Sequence, residues 1–356
     1  MNTRTRRRTH RRKPIAVDLF AGCGGLTEGL KQAGFRVVGA VEVHELAAKS
    51  YRLNHPRVRL WNDDIRNVDA VALMEALRIT RGDLHLLAGC PPCQGFSSLR
   101  TLNGKRDVRD RRNLLTDDFL RFVEALEPQA VMLENVPGLA ERRRFHELAA
   151  RLRSMGYTVT WAVLDAARFG VPQRRRRLIL LAAKAAKVDF ALPAAQVTTV
   201  AQAIRHLPAP GSTDDPLHRI IGKRSERILA LIKAIPKDGG SRSDLGEDQQ
   251  LECHKKCDGF SDVYGRMRWD AVAPTITGGC LNPSKGRFLH PSQDRAITAR
   301  EAALLQTFPP TYRFATDGGL YVVAEMIGNA LPPELIRRHA LQVLAVLRGV
   351  SEQRLA

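Results

Sequence analysis

A thiol, a carboxylate and a pair of arginines carry the strongest chemical signals in this sequence. Gly89-Cys90-Pro91-Pro92-Cys93-Gln94-Gly95-Phe96-Ser97 sets Cys93 on a loop stiffened by two proline rings. A rigid backbone fixes the aim of a thiolate, the form of cysteine that attacks. Cys90 and Cys93 also have the spacing of a C-x-x-C redox pair, but that motif opens a helix in a thioredoxin-like domain, which the rest of the chain does not resemble. Glu134-Asn135-Val136-Pro137 follows the next apolar run, so Glu134 is expected beside the Cys93 loop. A thiolate next to a carboxylic acid suits attack on an electron-poor ring carbon while the acid protonates a ring nitrogen. Gln173-Arg174-Arg175-Arg176-Arg177 adds basic groups. In extended alternation Arg175 and Arg177 share one side, and Arg174 and Arg176 the other. These neighbours favour Cys93 as a nucleophile and leave Cys90 to packing.

A second constellation lies near the N-terminus. Asp18-Leu19-Phe20-Ala21-Gly22-Cys23-Gly24-Gly25 follows an apolar run, and its glycines allow backbone to approach a ligand closely. No Lys-Ser/Thr follows, which argues against a P-loop, and Thr27 stands where a dinucleotide fingerprint needs its third glycine. Glu42 falls at the spacing where an acid meets ribose hydroxyls, and Asp64, in Asn62-Asp63-Asp64-Ile65, can accept from an adenine amino group. Three acids around one pocket suit a cationic cofactor better than a pyrophosphate. S-adenosylmethionine, with an adenosine, a sulfonium and no phosphate, fits.

The elements that must position these residues read as strand and helix in alternation. Ile15–Phe20, Phe35–Val41, Leu84–Ala88, Ala130–Leu133, Tyr157–Leu164 and Arg177–Leu181 are apolar runs separated by helical stretches. That alternation predicts an α/β fold with a doubly wound, mostly parallel sheet, whose sites lie at the carboxyl ends of its strands. Beyond about residue 187 the chain is richer in Pro, Gly, Ser and Asp, and only Glu226–Ile235 reads as a clear helix before Thr298–Gln306. The expected organisation is a basic tail at 1–14, a catalytic and cofactor-binding domain at 15–190, a smaller irregular domain at 191–321, and a return to the first domain at 322–350. The tail is read either as a phosphate-contacting arm or as a solvated end.

Charge points to the partner. The chain holds 56 Lys and Arg against 37 Asp and Glu, a formal net charge of +19. Such an excess implies a polyanion, most often nucleic acid. Aromatics are only 6%, which favours phosphate contact on a duplex over base stacking along a single strand. No apolar run is long enough to cross a bilayer and the N-terminus has no signal-peptide core, so a cytoplasmic protein is expected. Six cysteines without a regular framework are expected to be free thiols.

Taken in order, Asp18–Leu26, Pro91–Ser97, Glu134–Val136, Gln173–Arg177, Arg300–Pro309 and Gly328–Pro333 resemble the DNA (cytosine-5)-methyltransferases of prokaryotic type. The resemblance runs from Ile15 through nearly the whole chain. It implies that Cys93 attacks C6 of a cytosine flipped out of double-stranded DNA at a specific short sequence. Glu134 would bind the exocyclic amino group and protonate N3, Arg177 would contact O2, and Arg175 would support that network. Phe20, Gly22, Gly24, Glu42, Asp64, Ile65, Pro92 and Asn329 would line the S-adenosylmethionine pocket, with Asp18 beside them. Val43 departs from the pattern, since many relatives carry there an aromatic that stacks on adenine; Phe20 can supply that face. The resemblance further implies a monomer, with any cognate restriction endonuclease not in physical contact with it.

Within this resemblance the stretch from about 191 to 299 is the target-recognition region. Its basic residues include Arg219, Lys223, Arg224, Lys255, Lys256, Arg266, Arg268, Lys285 and Arg287, expected on phosphates and guanine edges. Gly278-Gly279, with Thr275 and Thr277, resembles the pair at which such regions approach the DNA backbone. Cys253 and Cys257, with Cys280 and His290, raise the alternative of a zinc site, but no second paired cluster accompanies them, and no metal is expected. Two rival functions share these features: an RNA cytosine-5 methyltransferase, and a DNA-binding regulator without catalysis. Intact Cys93, Glu134 and Arg177 argue against the regulator, and the long variable lobe favours DNA over RNA.

Overall fold

The computed structural model describes residues 13–92, 115–246 and 262–349. Seven strands form one sheet: β1 (Ile15–Leu19), β2 (Arg36–Val41), β3 (Arg59–Trp61), β4 (Leu86–Gly89), β5 (Ala130–Asn135), β6 (Thr158–Asp165) and β7 (Arg176–Ala183). Their order is β3-β2-β1-β4-β5-β7-β6. Strands β1 to β5 pair in parallel, and β7 runs antiparallel to both β5 and β6. The expected doubly wound, mostly parallel sheet is thus present.

Both faces of the sheet are covered, which is why its strands are apolar at successive positions rather than alternate ones. Ala16, Ala130, Met132, Ile179 and Leu181 point to one face, where they meet Leu26 and Leu30 of α1 (Gly25–Ala33). Val17, Leu19, Val131, Leu133, Leu178 and Leu180 point to the other face. After α2 (Glu45–Asn54), three helices cover that second face: α3 (Ala70–Leu77), α4 (Leu115–Leu126) and α5 (Arg143–Ser154). They contribute Leu73, Phe119, Phe122, Val123, Leu148 and Leu152. Each fully buried Leu, Val or Phe contributes about 1.5–3 kcal/mol of apolar transfer.

The stretch after β7 is irregular, as its composition suggested. It holds the short helices α6 (Val200–Ile204) and α7 (Pro216–Arg219), then α8 (Glu226–Ala234). Between 191 and 298 the described residues form no named strand, only isolated bridges such as Arg266 with Leu289. Next comes α9 (Ala299–Leu305), opened by a capping box in which Thr298 accepts from Glu301 N–H and Glu301 accepts from Thr298 N–H. It is followed by α10 (Gly319–Asn329) and α11 (Pro333–Leu347).

The return to the sheet is made by α11, whose Leu335, Ile336, Ala340, Val343 and Leu344 close the first face over α1. Helix α10 instead packs in the core of the second lobe with α9, and that core also takes in Cys23 and Ala47. The two lobes therefore share apolar packing at the loop after β1 and at α2. Gly328 permits the closest approach: a Cβ there would lie 2.2 Å from the backbone of Thr277 and Gly278.

Candidate active site

The strand order reverses between β1 and β4, where an open α/β sheet forms a crevice at its carboxyl edge. Leu19 of β1 pairs with Gly89 of β4, and a Cβ at Gly89 would lie 2.8 Å from Leu19 O and 2.9 Å from the Phe119 ring. A glycine is what lets the strands close there. The chain leaves β1 through Phe20, Gly22 and Gly24, all with positive φ (62°, 54° and 100°). For a phenylalanine that conformation is uncommon and costs energy, a kind of strain found most often at functional sites.

Glu42 closes this turn from the end of β2. It is 8% exposed, its Oε2 accepts Gly22 N–H at 2.7 Å and its Oε1 accepts His44 N–H at 2.7 Å. Each oxygen keeps a lone pair free, and nothing lies within 4 Å of the position of a Cβ at Gly22. Asp64 sits past β3 beside Arg66, which donates to both its oxygens and holds its carboxyl below the usual range. Ile65 is buried in the core, Phe20 and Pro92 are half-buried, and Asn329 is exposed at the end of α10. Val43 is 63% exposed, so no side chain there shelters a ring. An acidic edge with open lone pairs and no phosphate cradle fits a cationic adenosyl cofactor.

Two of the expected residues turn away from that edge. Asp18 is fully buried; its Oδ2 accepts from Thr27 Oγ1 at 2.6 Å, and Tyr51 OH lies 2.8 Å from the same hydroxyl. At Gly24 a Cβ would meet His55 Nε2 and Tyr312 OH at 2.6 Å, so its missing side chain admits a contact between lobes. Tyr312 donates to Cys23 O at 2.7 Å and accepts from His55 Nε2 at 2.9 Å, tying the loop to the second lobe. Sequence reasoning passed over His55 and Tyr312, because neither lies in a motif.

Burial, with the charge of Glu42 adding to it, pushes the Asp18 carboxyl up to about 7. A carboxyl raised from 3.8 binds more protons in the folded chain than in the unfolded one, so its contribution to stability falls as pH rises from about 4 through about 7. Asp18→Asn, which keeps the acceptor for Thr27, removes that dependence. Its thermal midpoint relative to wild type is expected to climb between pH 5 and pH 8, by the equivalent of about 2–4 kcal/mol. A constant difference across that range would show that Asp18 is ionised in the fold.

The second constellation gathers where β4, β5 and β7 meet. β7 is antiparallel, so its first residues lie at the same sheet end as the last residues of β5, with Asn135 opposite Leu178. Glu134 is 2% exposed and Arg177 Nε lies 2.9 Å from its Oε1, an ion pair whose N–H is not aligned as a hydrogen bond. Asn135 Nδ2 donates to Pro91 O at 2.8 Å, which anchors the proline segment leading to Cys93. Cys93 itself lies outside the described residues, as do Lys255, Lys256, Cys253 and Cys257.

Arg175 shares the buried side with Arg177, while Arg174 and Arg176 are exposed, as alternation predicts. Its guanidinium does not bond to Glu134. It donates to Ile276 O at 3.0 Å, Gly328 O at 2.9 Å and Ala330 O at 3.1 Å, joining β7 to the second lobe and to the Gly328–Pro333 turn. Gln173, also buried, donates to Gln306 Oε1 at 2.8 Å and accepts from Ile276 N–H at 3.0 Å. The Gln173–Arg177 block thus clamps three distant segments.

Cys90 was expected to be packing alone. It does pack against the first core, yet its Sγ lies 2.7 Å from Glu134 Oε2. Among the basic residues expected on DNA, Arg266 is a correction: it is wholly buried and bonds to the carbonyls of Ile232, Ile235, His290 and Gln293 and to Asp294. Arg287 donates to Gly239 O and Arg266 O, while Arg219, Lys223, Arg268 and Lys285 are exposed. Cys280 is sealed in the second lobe's core, and His290 Nδ1 accepts two backbone N–H groups.

The α/β sheet carries an acidic edge at its switch point and, two strands further on, a buried Glu134–Arg177 pair at the β5–β7 end. A family model described as C-5 cytosine-specific DNA methylase matches residues 15–345. The chain is 37% identical over 352 residues to the Type II methylase M.HgiDII of Herpetosiphon aurantiacus, covering 95% of this chain and 97% of that one. It is 33% identical to the Type II methyltransferase M.XorII of Xanthomonas oryzae pv. oryzae, covering 96% and 87%. In fold it is similar to the S. pombe Dnmt2 methyltransferase, with a TM-score of 0.61 at 20% identity, covering 94% of this chain and 98% of that one. The chain belongs to the C-5 cytosine-specific DNA methylases. It is a DNA (cytosine-5)-methyltransferase that uses S-adenosylmethionine and acts on DNA. Among the described residues no helix is long and apolar enough to cross a membrane.

Proposed function

We propose that the chain methylates one cytosine within a short duplex sequence through a covalent Cys93–C6 intermediate, as a modification enzyme of the type II kind that its relatives' names describe. The observation that carries this reading is Glu134, buried and ion-paired with Arg177 at the sheet end to which Asn135 holds the Pro91–Pro92 segment. The target base leaves the stack at a cost of a few kcal/mol. The Cys93 thiolate forms a bond to C6 while Glu134 delivers a proton to N3, and the ring electrons shift to C5. Arg177 contacts O2, and its ion pair with Glu134 keeps both groups on one edge of the ring. The cofactor supplies an electrophilic methyl group, which C5 takes. Loss of the C5 proton to solvent then breaks the C6–S bond, regenerates the Cys93 thiolate and lets the N3 proton return to Glu134.

Glu42 would hold the ribose hydroxyls, Asp64 the adenine amino group, Phe20 the adenine face, and Gly22, Ile65, Pro92 and Asn329 the remaining wall. Asp18 and Gly24 shape this pocket through Thr27 and through the His55–Tyr312 contact. Arg219, Lys223, Arg268 and Lys285, all exposed, are the described candidates for DNA contact in the second lobe. The enzyme would act as a cytoplasmic monomer, apart from any cognate endonuclease.

A duplex carrying 5-fluorocytosine at the target position tests the covalent step, because fluorine at C5 cannot leave as a proton. With cofactor present, a protein–DNA adduct stable to denaturation is expected. Turnover without any adduct would overturn the mechanism.

A further inference from the structure

Cys90 occupies a place that neither its packing nor the mechanism above explains. Glu134 has two oxygens in different surroundings: Oε2 is met by the Cys90 thiol at 2.7 Å, while Oε1 faces Arg177 without an aligned hydrogen bond. We propose that Cys90 is a positioning residue for cytosine methylation. Its S–H donates to Glu134 Oε2 and sets the rotation of the carboxyl, so that Oε1 is presented to the base. The proposal rests on the reading of Glu134 as the group that meets cytosine.

The thiol is well fixed for this task. Cys90 N–H donates to Leu19 O at 3.3 Å, and the next carbonyl, that of Pro91, is held by Asn135. The two residues that follow the strand are therefore tied to β1 and β5 before the chain reaches Cys93. A glutamate needs such a partner because rotation about its last torsion is broad and only weakly restrained. Burial, with the carboxylate adding to it, pushes the Cys90 thiol well above its ordinary value, so it keeps its proton and remains a donor. A held Oε2 beside an unaligned, buried Oε1 is the arrangement expected of a carboxyl that keeps one oxygen for a ligand.

The test compares Cys90→Ala and Cys90→Ser in steady-state methyl transfer to duplex DNA, with thermal midpoints recorded for both. Loss of one donor that acts in the transition state is expected to lower kcat about tenfold in Cys90→Ala. KM for DNA and cofactor should stay within about twofold, since the lost contact is to Glu134 and not to either substrate. Cys90→Ser retains an O–H donor and is expected to recover most of the lost kcat. An unchanged kcat in Cys90→Ala would overturn the proposal. So would Cys90→Ser no faster than Cys90→Ala, which would assign the effect to side-chain volume. If Cys90→Ala folds poorly, Cys90→Ser alone decides: near-wild-type kcat supports the donor role, and a tenfold loss in a stable protein removes it. Cys93→Ala, assayed alongside, separates the two levels. Turnover by that variant would sink the covalent reading, whereas an inactive Cys93→Ala with wild-type Cys90→Ala would sink only the role of Cys90.

Discussion

Cys93→Ala should bind duplex DNA with wild-type affinity and transfer no methyl group, and Glu134→Gln should retain only about one part in 10² to 10⁴ of the activity. The two losses differ because the two residues do different work. Without a thiolate at residue 93 nothing adds to C6, and C5 of cytosine is too weak a nucleophile to take the methyl group. Without an acid at residue 134 the thiolate still reaches C6, but the negative charge on the ring has no proton to meet at N3. Glutamine fills the same space and can turn its one oxygen to Arg177 and its amide N–H to the Cys90 sulfur, so the fold is expected to tolerate it. Burst and steady-state kinetics on one duplex, with binding measured in parallel, separate the two defects. A Glu134→Gln enzyme within about threefold of wild type would remove Glu134 from proton transfer.

The largest stability effect is expected at Arg266, far from this chemistry. Its side chain is wholly enclosed and makes five hydrogen bonds, four to backbone carbonyls of α8, of its C-cap Ile235 and of the 290–293 turn, and one to Asp294. Around it lie Leu231, Ile232, Ile235, Leu245, Tyr264 and Leu289, a small core of its own. Arg266→Met fills similar volume but leaves those carbonyls unsatisfied, at an expected cost of about 3–5 kcal/mol. Because the damage is local, hydrogen exchange should rise across residues 226–294 while the sheet stays protected, and DNA binding should fail before cofactor binding does. An Arg266→Met protein with an unchanged denaturation midpoint would show that the lobe does not depend on this clasp.

Most of the fold was legible in the sequence, for a specific reason. A sheet covered on both faces needs apolar residues at successive strand positions; β4, β5 and β7 show them as short uninterrupted runs, and β1 does so apart from Asp18. Helix α8 and the segment that forms α9 were equally plain, since helical periodicity is a local signal. The irregular lobe was visible only as a change of composition. Its few bridges and short helices explain why no periodic signal could be found there.

Local signals fail where a side chain serves a partner distant in sequence. Arg266 reads as one more basic residue in a basic lobe, and only the enclosing carbonyls show that it is internal. Motif position places Arg175 beside Arg177, and only the fold shows that its bonds run about 100 and 150 residues along the chain to Ile276 and Gly328. Asp18 stands in a ligand-like motif, but strand alternation turns it toward α1 and Thr27.

By itself the sequence determined six of the seven strands, the order of the motifs and the shared side of Arg175 and Arg177, because each depends on neighbours a few residues apart; the short β3 (Arg59–Trp61) gave no such signal. The meeting of Glu134 with Arg177 was decided only by the tertiary structure. It requires β7 to run antiparallel beside β5, so that the start of one strand lies at the end of the other. The same geometry moved Cys90 from packing to the carboxyl of Glu134: the end of β4 lies beside β5, a relation that no spacing within Cys90–Cys93 encodes.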